Sequence, residues 1–242
     1  MTTTMPERQP HAVLDVASRR HKALKIERLL GLGDRAGPLR LLVVGTGSGV
    51  IAHYFATHPT LRCEVDAVDV RDNRMLSDGY RFRLVEGTAL PFADRAFDVV
   101  LTNHVIEHVG DENAQRRHLD EVRRVLRPGG VGYLAVPNRW MLVEPHYKLA
   151  FLSWLPRSWR SAYLRAMRKG DFYDCEPLQM TQLERLLDGA GFAHENLCID
   201  ALRETFEIER PRSPAAWLLR KTPDAAIAPF RRIIPTLIYR LS

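Results

Sequence analysis

At 242 residues, with 45% hydrophobic and 26% charged residues, the chain has the makings of one α/β domain with a full core and is short for two. No apolar run approaches the roughly 18 residues that a membrane-crossing helix needs, which argues against a membrane-spanning chain. The net charge of +6 is unevenly placed: residues 139–170 carry +6, residues 211–242 carry +5, and the remainder is −5.

All four tryptophans (Trp140, Trp154, Trp159 and Trp217) fall inside those two basic stretches. The opening MTTTMPERQPH lacks the apolar core of a signal peptide, so a cytoplasmic protein is expected. Cys63, Cys175 and Cys198 lie far apart, which fits three reduced thiols better than a disulfide framework or a cysteine metal site.

In chain order, residues 11–32 read as a helix. Leu14, Ala17, His21, Leu24 and Arg28 form one stripe, Val13, Leu29 and Leu30 lie beside it, and Gly31 and Gly33 end it. LRLLVV (39–44) is a continuous apolar run, as a strand buried on both faces should be. GTGSG (45–49) follows, then a helix from Val50 that Pro59 closes. Strands are expected at 63–70, 81–87, 96–103 and 131–138, with a helix capped by Asp111 before Pro128-Gly129-Gly130. That alternation predicts a doubly wound, mostly parallel α/β sheet of seven strands with helices on both faces. Residues 139–175 read as a helical lid inserted after the fifth strand. MTQLERLLDGAGF (180–192) reads as a helix with Thr181 and Glu184 spaced as a capping box. LCIDALR (197–203) and TFEIER (205–210) suggest a closing hairpin, and 213–242 a proline-punctuated amphipathic tail. The expected organisation is an N-terminal helical segment (1–38), a main domain (39–210, with the substrate lid at 139–176) and a basic amphipathic tail (211–242).

Ligands of such sheets bind at the carboxyl ends of the strands. The glycines of 45–49 let backbone approach a ligand, and Asp69, at the end of the second strand, can accept ribose hydroxyls. The spacing is Gly-x-Gly-x-Gly with Val50 next, which weakens a dinucleotide and suits an adenosine ligand without pyrophosphate.

The blocks LLVVGTGSG, AVDV, VEGTALPFADRAFDVV and NHVIEHV…LDEVRRVLRPGG…PN, from about Leu41 to Asn138, resemble the class I S-adenosylmethionine-dependent methyltransferases of the small-molecule type 11 group. The resemblance implies S-adenosyl-L-methionine as cofactor. It implies that Gly45, Thr46, Gly47 and Gly49 wrap the methionine part, that Asp69 holds the ribose with Val70 against the adenine, that Glu86 reads the adenine amino group, with Gly87 and Thr88 following it along the cofactor site, and that Asn103 faces the methionine end. Val43 stands where the family usually has an acid.

His104-x-x-Glu107-His108 also matches the spacing of a zinc peptidase signature, but that reading needs a long helix and a third ligand, and here the motif directly follows the fourth strand. It is partly similar to the E-x-x-E-H block of quinone-ring O-methyltransferases, in which the acids and His can bind a metal. His104 replaces the first acid, so only Glu107 and His108 carry over and no metal site is assigned. His104, His108 and His146 are candidates for taking a proton from a hydroxyl acceptor, with packing roles as the competing reading. The basic, Trp-bearing stretches 139–170 and 211–242 suit a lid over the sheet, or contact with a membrane surface holding a hydrophobic acceptor such as a quinone precursor, a lipid or a lipid-linked saccharide. Single-stranded RNA and a non-catalytic cofactor-binding partner are the alternative readings, with no separate RNA-binding motif present.

Overall fold

The computed structural model describes residues 15–35, 37–144, 147–173 and 175–242. The fold is built on apolar strands that bury both faces. In β1 (Leu39–Val44), Leu42 and Val44 enter one core layer while Leu39, Leu41 and Val43 enter the other. β2 (Cys63–Asp69) and β4 (Phe97–Asn103) flank it in parallel, β3 (Arg81–Leu84) extends the β2 side, and β5 (Leu126–Pro137) lies parallel beyond β4. The seven-stranded sheet runs β3-β2-β1-β4-β5-β9-β8, where β8 is His194–Asn196 and β9 is Thr236–Leu241. β9 is antiparallel to both of its neighbours.

The helices cover both faces, as expected. α1 (Val16–Leu30), α2 (Val50–Ala56) and α6 (Cys198–Glu209) pack on one side, and α3 (Glu112–Val125) and α5 (Met180–Gly189) on the other. Asp111 caps α3 by accepting from the Ala114 N–H at 2.9 Å. Between β5 and α5 lie a small hairpin, β6 (Val143–Glu144) and β7 (Leu149–Ala150), and α4 (Arg157–Ala166), which share a core of their own around Leu152, Leu164 and Tyr173. The insertion is therefore part strand, not only helical.

Four other expectations give way. The buried face of α1 is Ala23, Ile26 and Leu30, while Ala17, His21 and Arg28 are exposed, because three small-to-large apolar positions spaced three and four apart fit the sheet better than a stripe diluted by His and Arg. Residues 198–209 are helical, not a hairpin. Their β-branched content is overridden by packing on α1, where Lys25 Nζ donates to Thr205 Oγ1 at 3.1 Å and Arg28 pairs with Glu204 at 3.0 Å. Thr181 lies inside α5, which starts without a side-chain cap, and Glu184 instead accepts from the Tyr239 hydroxyl at 2.7 Å.

The tail 211–242 is not a separate amphipathic appendage. After α7 (Pro214–Lys221), α8 (Asp224–Ile227) and a 3-10 stretch, Leu237, Tyr239 and Leu241 enter the α3/α5 layer and Ile238 the opposite one, so the period is that of a strand buried on both faces. Asn138 secures the return by donating from Nδ2 to the carbonyls of Arg232 and Ile234.

Candidate active site

The carboxyl ends of β1 to β4 converge on one edge of the sheet. The glycine loop leaves β1 and leans over β2: the Gly45 and Thr46 N–H groups donate to the Val68 carbonyl at 2.9 and 3.1 Å, and Thr46 Oγ1 donates there too at 3.0 Å. Gly47 N–H donates to Asp69 Oδ2 at 2.8 Å, while Asp69 Oδ1 accepts from Val70 N–H at 2.7 Å. The Asp69 carboxylate thus ties the loop to the strand end.

The glycines differ in what they meet. Gly49 has φ +79°, and a side chain there would strike the Leu76 carbonyl oxygen and the Tyr80 hydroxyl. Gly45, at φ +76°, would strike Val105. Gly47, at φ +54°, faces open space within 4 Å of any Cβ, so here the loop leaves room. Ser48 clips the loop from outside, its carbonyl accepting from Met75 and Leu76. The sequence carried no sign of Leu76 and Tyr80, because their contact depends on how 72–80 folds back.

β3 brings the next candidates alongside. Asp69 pairs with Leu84 in register and accepts Val85 N–H at 3.0 Å, so Glu86, Gly87 and Thr88 follow directly beside the end of β2. Glu86 is exposed, Gly87 has φ +64°, and Val70 is 53% exposed, an unusual apolar surface beside Asp69. Asn103 ends β4, one position beyond the Val44–Thr102 pair, and its Oδ1 is buried with no hydrogen-bond partner.

Immediately after it, His104 takes the left-handed conformation, φ +59°, with its N–H on the Ala135 carbonyl at 2.8 Å. Its Nδ1 lies 3.2 Å from Glu107 Oε1. Glu107 is 1% exposed, its Oε2 has no partner, and burial pushes its carboxyl up to about 8, with a backbone hydrogen bond and the Lys22 charge pulling the other way. Lys22, on α1, is held down to about 7 by burial, with Arg19 and Lys25 adding to the effect. Nothing in the spacing of the sequence pointed to Lys22, since its link to Glu107 arises only from α1 covering this end of the sheet. His108 sits half buried at the end of a 3-10 turn, Ile106–His108, with its N–H on the Val105 carbonyl. His146 lies outside the described residues.

The zinc peptidase reading does not survive this geometry. It needs one long helix, whereas residues 106–108 form a single 3-10 turn and α3 starts separately after Asp111. Among the described residues no group of three His, Cys, Asp or Glu is placed to hold a metal ion. Val43 is buried in the α1/α2 layer, so no acid stands behind the loop at that point.

Residues 42–134 match the family model described as a methyltransferase domain. The matched stretch is similar to a methyltransferase domain. It coincides with the blocks between Leu41 and Asn138. The chain is 31% identical over 131 residues to a ubiquinone biosynthesis O-methyltransferase of Parvibaculum lavamentivorans, the match covering 49% of each chain. It is 38% identical over 108 residues to an uncharacterized methyltransferase of Mycolicibacterium vanbaalenii, covering 43% of this chain and 41% of that protein. The chain therefore spans about half the length or less of these curated relatives. In fold it is similar to an S-adenosylmethionine dependent methyltransferase of Mesorhizobium loti, with a TM-score of 0.56 at 14% identity, over 88% of this chain and 95% of that one.

Proposed function

We propose that the chain is an S-adenosylmethionine-dependent methyltransferase that acts on an oxygen of a hydrophobic small molecule. The observation that carries this reading is the Asp69 carboxylate, which joins the glycine loop to the end of β2 through Gly47 at 2.8 Å, within the stretch similar to a methyltransferase domain.

The residues suit the cofactor. Gly47 opens onto free space, Val70 offers an exposed apolar face for a purine, and the partnerless Asn103 Oδ1 is an acceptor for an ammonium group. In this reading Gly45, Thr46, Gly47 and Gly49 surround the methionine portion, Asp69 accepts the ribose hydroxyls, and Glu86, with Gly87 and Thr88, takes the adenine amino group. S-adenosylmethionine supplies a methyl group on a sulfonium, ready for displacement by a nucleophile. What the chain adds is positioning and a place for the acceptor's proton. His104 is the residue for that proton. Glu107 lies 3.2 Å from its Nδ1 and fixes the orientation of the ring.

The relative from Parvibaculum lavamentivorans is named for O-methylation in ubiquinone biosynthesis, and a phenolic ring on a lipid tail fits the acceptor class drawn from His104 and the apolar insertion. The test is incubation of the protein with methyl-labelled cofactor and a cell extract separated into lipid, nucleic acid and protein fractions. Label in the lipid fraction is expected. Label confined to RNA, or none in any fraction, would overturn the proposed acceptor.

A further inference from the structure

We infer that the insertion between β5 and α5 docks the domain on an anionic lipid surface through the β6–β7 hairpin edge and the outer stripe of α4. The inference deepens the reading above by naming where a membrane-held acceptor is met, and it rests on that reading only for its purpose.

Among the described residues of this insertion seven large apolar side chains are exposed: Leu142, Val143, Phe151, Trp154, Trp159, Met167 and Phe172. Those of the hairpin and the turn after it adjoin one another. Phe151 N–H donates to the Leu142 carbonyl at 2.9 Å, Val143 pairs with Ala150, and the rings of Phe151 and Trp154 meet edge to face at 5.3 Å. Tyr163 donates to the Ala150 carbonyl at 3.3 Å, which lays α4 against the hairpin. Trp159 and Met167 stand four residues either side of Tyr163, on the same helical stripe.

Water does not select this display. Trp159 is 65% exposed and Phe151 is 51% exposed. Phe151 is also held at φ +56°, in the left-handed region that strains an L-residue. The display is rigid, because Leu152, Leu164 and Tyr173 pack beneath it and the buried Arg160 donates to the carbonyls of Leu155 and Ser153.

The charge around it selects the partner. Lys148, Arg165, Arg168 and Lys169 are exposed, Arg157 is paired with Glu176 at 2.8 Å, and Glu144, the sole acid in 142–169, is buried. Exposed tryptophan and phenylalanine beside a cluster of exposed cations match the interface of an anionic bilayer. The other basic stretch, 211–242, offers less. Leu237 and Leu241 go into the sheet, leaving Trp217, Leu218 and Phe230 as its exposed apolar groups.

The test is co-sedimentation of the full chain with vesicles of phosphatidylcholine alone or mixed with phosphatidylglycerol, together with quenching of tryptophan by brominated lipid. Binding to the anionic vesicles, weakened by salt, is expected, with quenching that falls in Trp159→Phe. Phe151→Asp with Trp159→Glu, and separately Arg165→Glu with Arg168→Glu, should each lower binding by about tenfold or more. All are surface changes away from the glycine loop, so each variant should titrate S-adenosylmethionine as the parent does. Failure to bind anionic vesicles, or binding unchanged in both double variants, overturns the inference. So does a parent that is dimeric in solution and becomes monomeric in the Phe151/Trp159 variant. Loss of cofactor binding with vesicle binding intact would instead count against the methyltransferase reading.

Discussion

His104 Nδ1 lies 3.2 Å from Glu107 Oε1, joining a histidine in the left-handed conformation to a carboxyl sealed from solvent, one residue beyond the end of β4. A turn that strains a histidine to meet a buried acid is costly for packing alone and useful for orienting an imidazole. If His104 takes the acceptor's proton, His104→Gln should lower turnover about 100-fold or more while leaving cofactor affinity within about twofold. Glu107→Gln should lower kcat with little change in KM. Steady-state methylation assays and cofactor titrations on the same protein samples check both.

The pH dependence of stability has a definite sign. Burial pushes Glu107 up to about 8 from its ordinary 4.5, so the folded protein binds that proton more tightly than the unfolded chain. The stabilisation from this group is complete below 4.5 and is lost as pH rises through 8. His118 is buried, accepts or donates at Thr102 Oγ1 at 3.0 Å, and is held down to about 4, so it acts in the opposite sense as pH falls below its ordinary 6.5. Lys22, lowered to about 7, gains stability as pH rises from there toward 10.5. Because His118 is present in both proteins, comparing the parent with Glu107→Gln reads Glu107 together with its coupling to Lys22. The parent should lose stability relative to the variant by up to about 1.4 kcal/mol per pH unit between about pH 5 and 8. Urea unfolding across that range measures it.

The glycine loop should separate folding from binding. Gly49→Ala drives a Cβ into the Leu76 carbonyl and the Tyr80 hydroxyl at φ +79°, and should cost more than about 2 kcal/mol of stability. Gly47→Ala meets no neighbour within 4 Å and should cost only the roughly 1 kcal/mol of a left-handed alanine, while filling the space assigned to the cofactor. Thermal unfolding and cofactor titration of the pair should therefore rank them in opposite orders.

A chain ending at residue 210 should not fold. β9 lies between β5 and β8, and its removal strips Leu237, Ile238, Tyr239 and Leu241 from both core layers. Losing even one such side chain costs about 2–5 kcal/mol, comparable to a domain's whole stability. Loss of the cooperative unfolding transition in circular dichroism is the expected result.

That strand also marks where the sequence was legible and where it was not. β1, β2 and β4 were readable because parallel strands buried on both faces are continuous apolar runs between turn signals, and the cofactor candidates followed from the strand ends. The Leu237 and Leu241 pair, by contrast, satisfies a helical spacing as well as an alternating one, and only pairing with Gly132 to Pro137 decides for the strand. Thr205 and Phe206 favoured a strand locally, yet α1 supplied partners for a helix. Lys22 and Tyr80 were invisible for the same reason: their place at the site depends on chain segments folding back over it.

Calorimetric titration of S-adenosylmethionine into the parent and into Asp69→Ala decides whether the glycine loop and Asp69 hold this cofactor. Asp69 Oδ2 anchors Gly47 and is assigned the ribose, so the substitution removes both a loop tether and a ligand acceptor. Saturable one-to-one binding to the parent is expected, with a loss of about 50-fold or more, roughly 2–3 kcal/mol, in the variant. Equal affinity in the two proteins, or no binding to a folded parent, would contradict that assignment.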